Sequence, residues 1–192
     1  MLASHNAHKI KELKQLLKDV NVDIVTLADL SDTEEVNESG SSFKENALIK
    51  ARHYYQKYQM PVLADDSGLC VNALSGGPGV HSKRFSSGND YDHNIKLINL
   101  LRQAKDRHAA FVTVIVFYLN DDEIRHFEGL VEGTISQMVV SQEGFGYDPV
   151  FIPNGYAKTF YELGSDVKNQ MSHRALALKQ VLEYLYENLN YK

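Results

Sequence analysis

The sequence predicts an α/β protein, a mixed central sheet flanked by helices, on three observations. Helical and strand-like segments alternate over the first hundred residues, a strand-rich stretch follows from Ala109, and the chain closes on a long amphipathic helix. Ile10, Leu13 and Leu17 recur at helical spacing behind the cap residue Asn6 and predict a helix over 7–18. Residues 22–27 form a largely β-branched run broken by Asp23 and predict a strand, followed by an acidic loop over 29–41. Ser42 paired with Glu45 matches a capping box, and Phe43, Ala47, Ala51, Tyr54 and Tyr58 trace the apolar stripe of a second helix. Asn46 and Lys50 lie one turn apart on another face of it. A strand at 61–64 and a Gly-rich loop then lead to a helix over 92–103, with Ile95, Ile98 and Leu101 among its apolar positions.

The second half turns to strands. Residues 111–119 are dense in Val, Ile and Phe, Asp121-Asp122 supplies a turn, and 124–131 alternates, which predicts a hairpin. Further strands are predicted near 135–140 and at 150–152, the latter closed by Pro153. The last helix runs from His173 to about Leu189, capped by Ser172 and packed through Leu178, Leu182, Leu185 and Leu189. No repeat, low-complexity tract or linker interrupts the chain, so one domain over 1–192, in two closely joined lobes, is expected.

With 192 residues, 43% hydrophobic and 23% charged, the chain falls in the globular range and can bury a sizeable core. A net charge of -5 argues against a broad basic face for nucleic acid. It leaves room for a small anionic ligand whose charge is shared with a divalent cation. The single cysteine, Cys70, can form no internal disulfide and reads as a buried thiol between Leu69 and Val71. The longest apolar run, 111–119, is too short to span a bilayer, and the N-terminus lacks a signal peptide's pattern. A soluble, cytoplasmic protein is expected.

The chemistry concentrates in a few segments. Ala64-Asp65-Asp66-Ser67-Gly68-Leu69 sets two carboxylates after an apolar run and ahead of Ser75-Gly76-Gly77-Pro78-Gly79. Such carboxylates can hold a hard cation or take a proton from water, although the same residue types also build solvated turns. Ser4-His5-Asn6-Ala7-His8-Lys9 leads into a helix N-terminus, which offers amide donors and a positive dipole end to a phosphate; a plain capped surface helix is the alternative. Ser172-His173-Arg174, with Lys168 upstream, repeats that placement of cations at the last helix.

Glu38, Glu45, Asp65 and Asp66 are the carboxylates able to share a metal with a phosphate chain, Glu45 having its capping role as the stronger explanation. Phe145-Gly146-Tyr147-Asp148 can stack on a ring and bond its edge, or form an ordinary turn with core aromatics. No Ser-His-Asp or Cys-His signature, zinc spacing, GxGxxG or P-loop is present.

The ordered set of these segments resembles the inosine triphosphate pyrophosphatase family, the non-canonical purine nucleoside triphosphate pyrophosphatases. It spans nearly the whole chain: Ser4-His5-Asn6 with Lys9; Glu38-Ser39-Gly40 through Phe43, Glu45-Asn46-Ala47 and Lys50-Ala51; Ala64 to Leu69; Gly76 to Val80 with Ser82 and Arg84; Gly144 to Pro149; and Ser172-His173-Arg174.

The resemblance implies an elongated mixed sheet with an active-site cleft between two lobes. It implies Mg²⁺-dependent hydrolysis of ITP, dITP and XTP to monophosphate and pyrophosphate by a homodimer that cleans the nucleotide pool. On the family pattern Asp66 accepts the proton of the attacking water and binds metal together with Glu38. Ser4, His5, Asn6, Ala7, His8, Lys9, Lys50 and Ser67 grip the triphosphate and sugar, while Phe145, Gly146, Tyr147, Asp148, Lys168, His173 and Arg174 hold and read the base. A pyrophosphatase of other modified nucleotides and a nucleotide-binding module without turnover are the alternatives. Three departures stand out: only Met1-Leu2-Ala3 precedes Ser4 where the family has a full strand, His8 replaces a common Gly, and Lys83 a common small residue. The first implies a shortened first strand or a start further upstream.

Overall fold

The computed structural model describes residues 1–18 and 21–188. Five helices, α1 (Ala7–Leu16), α2 (Phe43–Tyr58), α3 (Asp90–Leu100), α4 (Phe160–Met171) and α5 (His173–Asn188), accompany four strands. These are β1 (Val62–Val71), β2 (His108–Asn120), β3 (Glu123–Ile135) and β4 (Phe151–Pro153), in the antiparallel sheet order β1-β2-β3-β4. The expected hairpin forms: β2 and β3 are neighbours joined by Asp121 and Asp122 alone. β4 pairs antiparallel with β3, Thr134 facing Ile152. Parallel pairing enters through Leu2, which bridges both Thr26 and Leu63, so the sheet character is mixed.

The chain divides into two compact units. Unit 1 comprises 1–66, 113–129 and 174–192; unit 2 comprises 67–112 and 130–173. Unit 1 has two apolar clusters. In one, Leu13 and Leu17 meet Ile115, Leu178, Val181 and Leu185; in the other, Ala47, Ala51 and Tyr54 of α2 meet Val62, Ala64, Val116 and Tyr118. Unit 2 is built on Leu69, Val71, Leu97, Phe111, Phe151 and Phe160, whose rings pack with centroids 4.6 to 6.1 Å apart.

Several elements differ from expectation. β1 runs on to Val71, so Asp65 and Asp66 stand inside a strand rather than beyond its end. Tertiary pairing overrides the poor strand propensity of Asp, Ser and Gly, and both carboxylates are buried. Residues 22–27 form no strand beyond the bridge at Thr26. Asp29 Oδ2 accepts from Thr26 N at 2.8 Å and Oγ1 at 2.7 Å, a side-chain turn that closes the segment directly after its bridge to Leu2. The further strand expected near 135–140 does not form: β3 itself runs on to Ile135, and Ser136 N bonds to Val150 O beyond it.

The helix expected over 92–103 begins at Asp90 behind an Asn89–Asp92 capping box and ends at Leu100. α1 ends at Leu16. α4 was not foreseen: its signal is the Thr159–Glu162 capping box, masked by Gly164, whose φ of 81° kinks it. Leu189 lies outside the described residues. At α2, Ser42 Oγ accepts from Glu45 N as expected, but the Glu45 carboxylate bonds to Ser41 N and Oγ.

Candidate active site

Successive strand side chains point to opposite faces, so β1 presents Asp65 and Asp66 to different partners. Asp65 Oδ2 lies 2.9 Å from Lys9 Nζ on α1 and 3.4 Å from Arg174 Nε at the start of α5. Arg174 Nη1 also pairs with Glu12, one turn beyond Lys9. Burial alone would raise the pKa of Asp65. The charge of Lys9, then of Arg174 and Lys50, outweighs it and holds the carboxyl well below the usual carboxylate range. Asp65 is an ionised tether between two helices.

Asp66 has the other environment. Asn46 Nδ2 donates to its Oδ2 at 3.1 Å, and Lys50 Nζ stands 3.9 Å from its Oδ1 while donating to Glu38 Oε1 at 3.2 Å. Helical spacing puts Asn46 and Lys50 on one face of α2. Gly40 N donates to Asn46 Oδ1 at 2.8 Å and so fixes which way the amide points. Desolvation is the largest influence on Asp66 and pushes its pKa up, against the neighbouring charges of Lys50 and Lys9. A buried carboxyl with a raised pKa is suited to accepting a proton.

Other expected site residues fall nearby in unit 1. Asn6 caps α1, its Oδ1 accepting from His8 N at 3.0 Å and Lys9 N at 3.2 Å, and Ser4 Oγ accepts from Asn6 N. His5 Nε2 is 2.8 Å from Glu34 O, tying this turn to the acidic loop. Ala7 and His8 are exposed.

In unit 2, Lys168 donates to Asp148 Oδ2 at 2.7 Å and sits 5.3 Å above the Phe145 ring. His173 stacks on Phe111 with centroids 4.7 Å apart. Tyr147 is buried and donates from its hydroxyl to Ser82 O. Ser67 follows Asp66 in β1 and is half-buried. The residues assigned to the base thus divide: Phe145, Gly146, Tyr147, Asp148, Lys168 and His173 fall in unit 2, whereas Arg174 falls in unit 1 against Glu12 and Asp65. Sequence reasoning passed over Glu12, whose signal is its three-residue spacing from Lys9, and gave Asn46 no role.

The Ham1 family model matches residues 1–184. The chain belongs to the Ham1 family. Among curated relatives it is 42% identical to the dITP/XTP pyrophosphatase of Porphyromonas gingivalis, over 96% of each chain, and 39% identical to that of Bacillus subtilis, again over 96% of each. Two solved Ham1 proteins share its fold, that of Coxiella burnetii at TM-score 0.88 and 38% identity and that of Staphylococcus aureus at 0.87 and 36%, each over 97% of both chains. The fold expected from the sequence is therefore the fold of the Ham1 proteins. Among the described residues no helix is long and apolar enough to cross a membrane.

Proposed function

We propose that the chain hydrolyses the non-canonical purine nucleoside triphosphates dITP, ITP and XTP between the α and β phosphates, releasing monophosphate and pyrophosphate. The arrangement that carries this reading is Asp66, buried, raised in pKa and held by Asn46, beside the Lys50–Glu38 pair. Dedicated activity on dITP and XTP is what the names of its family relatives state.

In this reading Asp66 takes the proton of the attacking water, and Asn46 keeps the accepting oxygen in place. Lys50 and Lys9 neutralise charge on the phosphate chain, and Ser4, His5, Asn6, Ala7, His8 and Ser67 border it. A divalent cation fits the donor set: Glu38 and Asp66 already converge on one ammonium, and Mg²⁺ is commonly held by only one or two carboxylates plus phosphate oxygens. Glu38 and Asp66 would hold it, and when bound it neutralises developing charge on the leaving pyrophosphate. Phe145, Gly146, Tyr147, Asp148, Lys168 and His173 recognise the base. Donors directed at a 6-carbonyl disfavour adenine, whose 6-amino group cannot accept them. Arg174 acts through Asp65. A homodimer working in the cytoplasm completes the proposal.

The test is a chromatographic assay of dITP, ITP, XTP, dGTP and dATP with Mg²⁺. Monophosphate and pyrophosphate from the first three are expected, with slow turnover of the last two. Diphosphate and orthophosphate as first products, or binding without turnover, would overturn it.

A further inference from the structure

The loop proposed to contact the base has a glycine at its centre, inside a turn closed by Asp148 N donating to Phe145 O at 3.2 Å. Gly146 has φ of 58°, and a Cβ built there would meet no heavy atom within 4 Å, so steric crowding does not hold the residue. Two side chains of α3 anchor it in addition to that turn bond. Asp90 Oδ2 accepts from Gly146 N at 2.6 Å, and Asn94 Nδ2 donates to Gly146 O at 2.9 Å. Asp90 and Asn94 are four residues apart and share a helix face, so one rigid element grips both peptide groups flanking the freest residue of the loop.

The N–H of Gly146 belongs to the peptide that orients Phe145, and its carbonyl to the peptide that orients Tyr147. Asn94 is 1% exposed, its Oδ1 meets no hydrogen-bond partner among the described residues, and its amide nitrogen is directed at Gly146 O. His93, between them in sequence, stacks with the Tyr147 ring at 6.3 Å, and Ser82 O accepts from the Tyr147 hydroxyl. Phe145 in turn lies under Lys168, which bonds Asp148.

We propose that Asp90 and Asn94 are specificity-positioning residues, which set the discrimination between purine bases by holding both peptide groups of Gly146 without touching the nucleotide. The inference rests on the proposed role of the 145–148 loop at the base. A purely structural pair would change stability and overall rate, whereas a positioning pair changes the ratio of kcat/KM for dITP over dGTP.

Asp90→Ala and, independently, Asn94→Ala are expected to lower that ratio about tenfold, the scale on which a pocket's fit discriminates substrates. Asp90→Asn keeps an acceptor for Gly146 N and is expected to restore most of it. Lys168→Ala is the control for the loop's role: if it leaves the ratio at the wild-type value, the reading of the base site fails. If it lowers the ratio while folded Asp90→Ala and Asn94→Ala retain the wild-type value, the positioning proposal fails. A parallel fall in kcat/KM for both nucleotides, with the ratio unchanged, also overturns it.

Discussion

Asp65 and Asp66 share a peptide bond in β1 yet are shifted in opposite directions: Lys9 and Arg174 hold the first below the carboxylate range, and desolvation raises the second from its ordinary value. Neighbouring carboxyls pushed apart in this way are assigned different tasks by their surroundings. Asp66→Asn should therefore lower kcat by about 10²–10⁴, the contribution of a positioned general base, with little change in Tm. Asp65→Asn leaves Lys9 and Arg174 facing one another across a buried site and should cost about 3–5 kcal/mol in urea unfolding. Equal losses of stability in the two variants would contradict this division.

Gly40 is the lever on Asn46. A Cβ at this position would stand 2.6 Å from Glu45 Cβ and 2.7 Å from Asn46 Oδ1, closer than atoms tolerate. Gly40→Ala should displace the Asn46 amide and lower kcat roughly tenfold, as loss of a supporting contact does in positioned sites. Gly76→Ala, where a Cβ meets no atom within 4 Å, should fall short of that effect on kcat. A Gly40→Ala enzyme with wild-type kcat would remove Asn46 from the mechanism.

Glu38→Gln tests the metal assignment. The variant keeps an acceptor for Lys50 but loses a charge, so the Mg²⁺ concentration for half-maximal turnover should rise while kcat recovers at saturation. Chelator should abolish wild-type turnover and added Mg²⁺ should return it. An unshifted Mg²⁺ requirement would release Glu38 from the site.

Acid stability depends on Asp32. The bond from Lys57, then those from Glu34 N and the Tyr58 hydroxyl, hold its pKa far below normal. A carboxylate with a depressed folded pKa contributes fully above its unfolded value, about 3.9, and loses that contribution as pH falls toward the folded value. Melting curves between about pH 6 and pH 2 should show wild-type stability falling below about pH 4 more steeply than in Lys57→Met. Parallel curves would show that Lys57 does not set the titration.

Much of the architecture was legible because its signals are local. Asn6 and Ser42 cap helices where their side chains imply, and Asp121-Asp122 turns the hairpin. The failures share a cause. Val22 to Leu27 has strand composition, but it finds only a single bridge, Thr26 to Leu2, before the Asp29 side chain turns the chain. α4 was hidden by Gly164, and β1 continues through Asp, Ser and Gly because pairing and burial overrule propensity.

The candidate site divides in the same manner. Residue types and their order by themselves pointed to the family this chain belongs to and to the carboxylates, cations and aromatics proposed for its site, since those depend only on motif and spacing. Tertiary structure alone decided that Asp65 is paired with Lys9 and Arg174 while Asp66 is desolvated beside Asn46 and Lys50, that Arg174 is bound to Glu12 and Asp65, and that α3 grips Gly146. A pKa and a hydrogen bond depend on burial and on charges brought from distant parts of the chain, and the order of residues does not contain those distances.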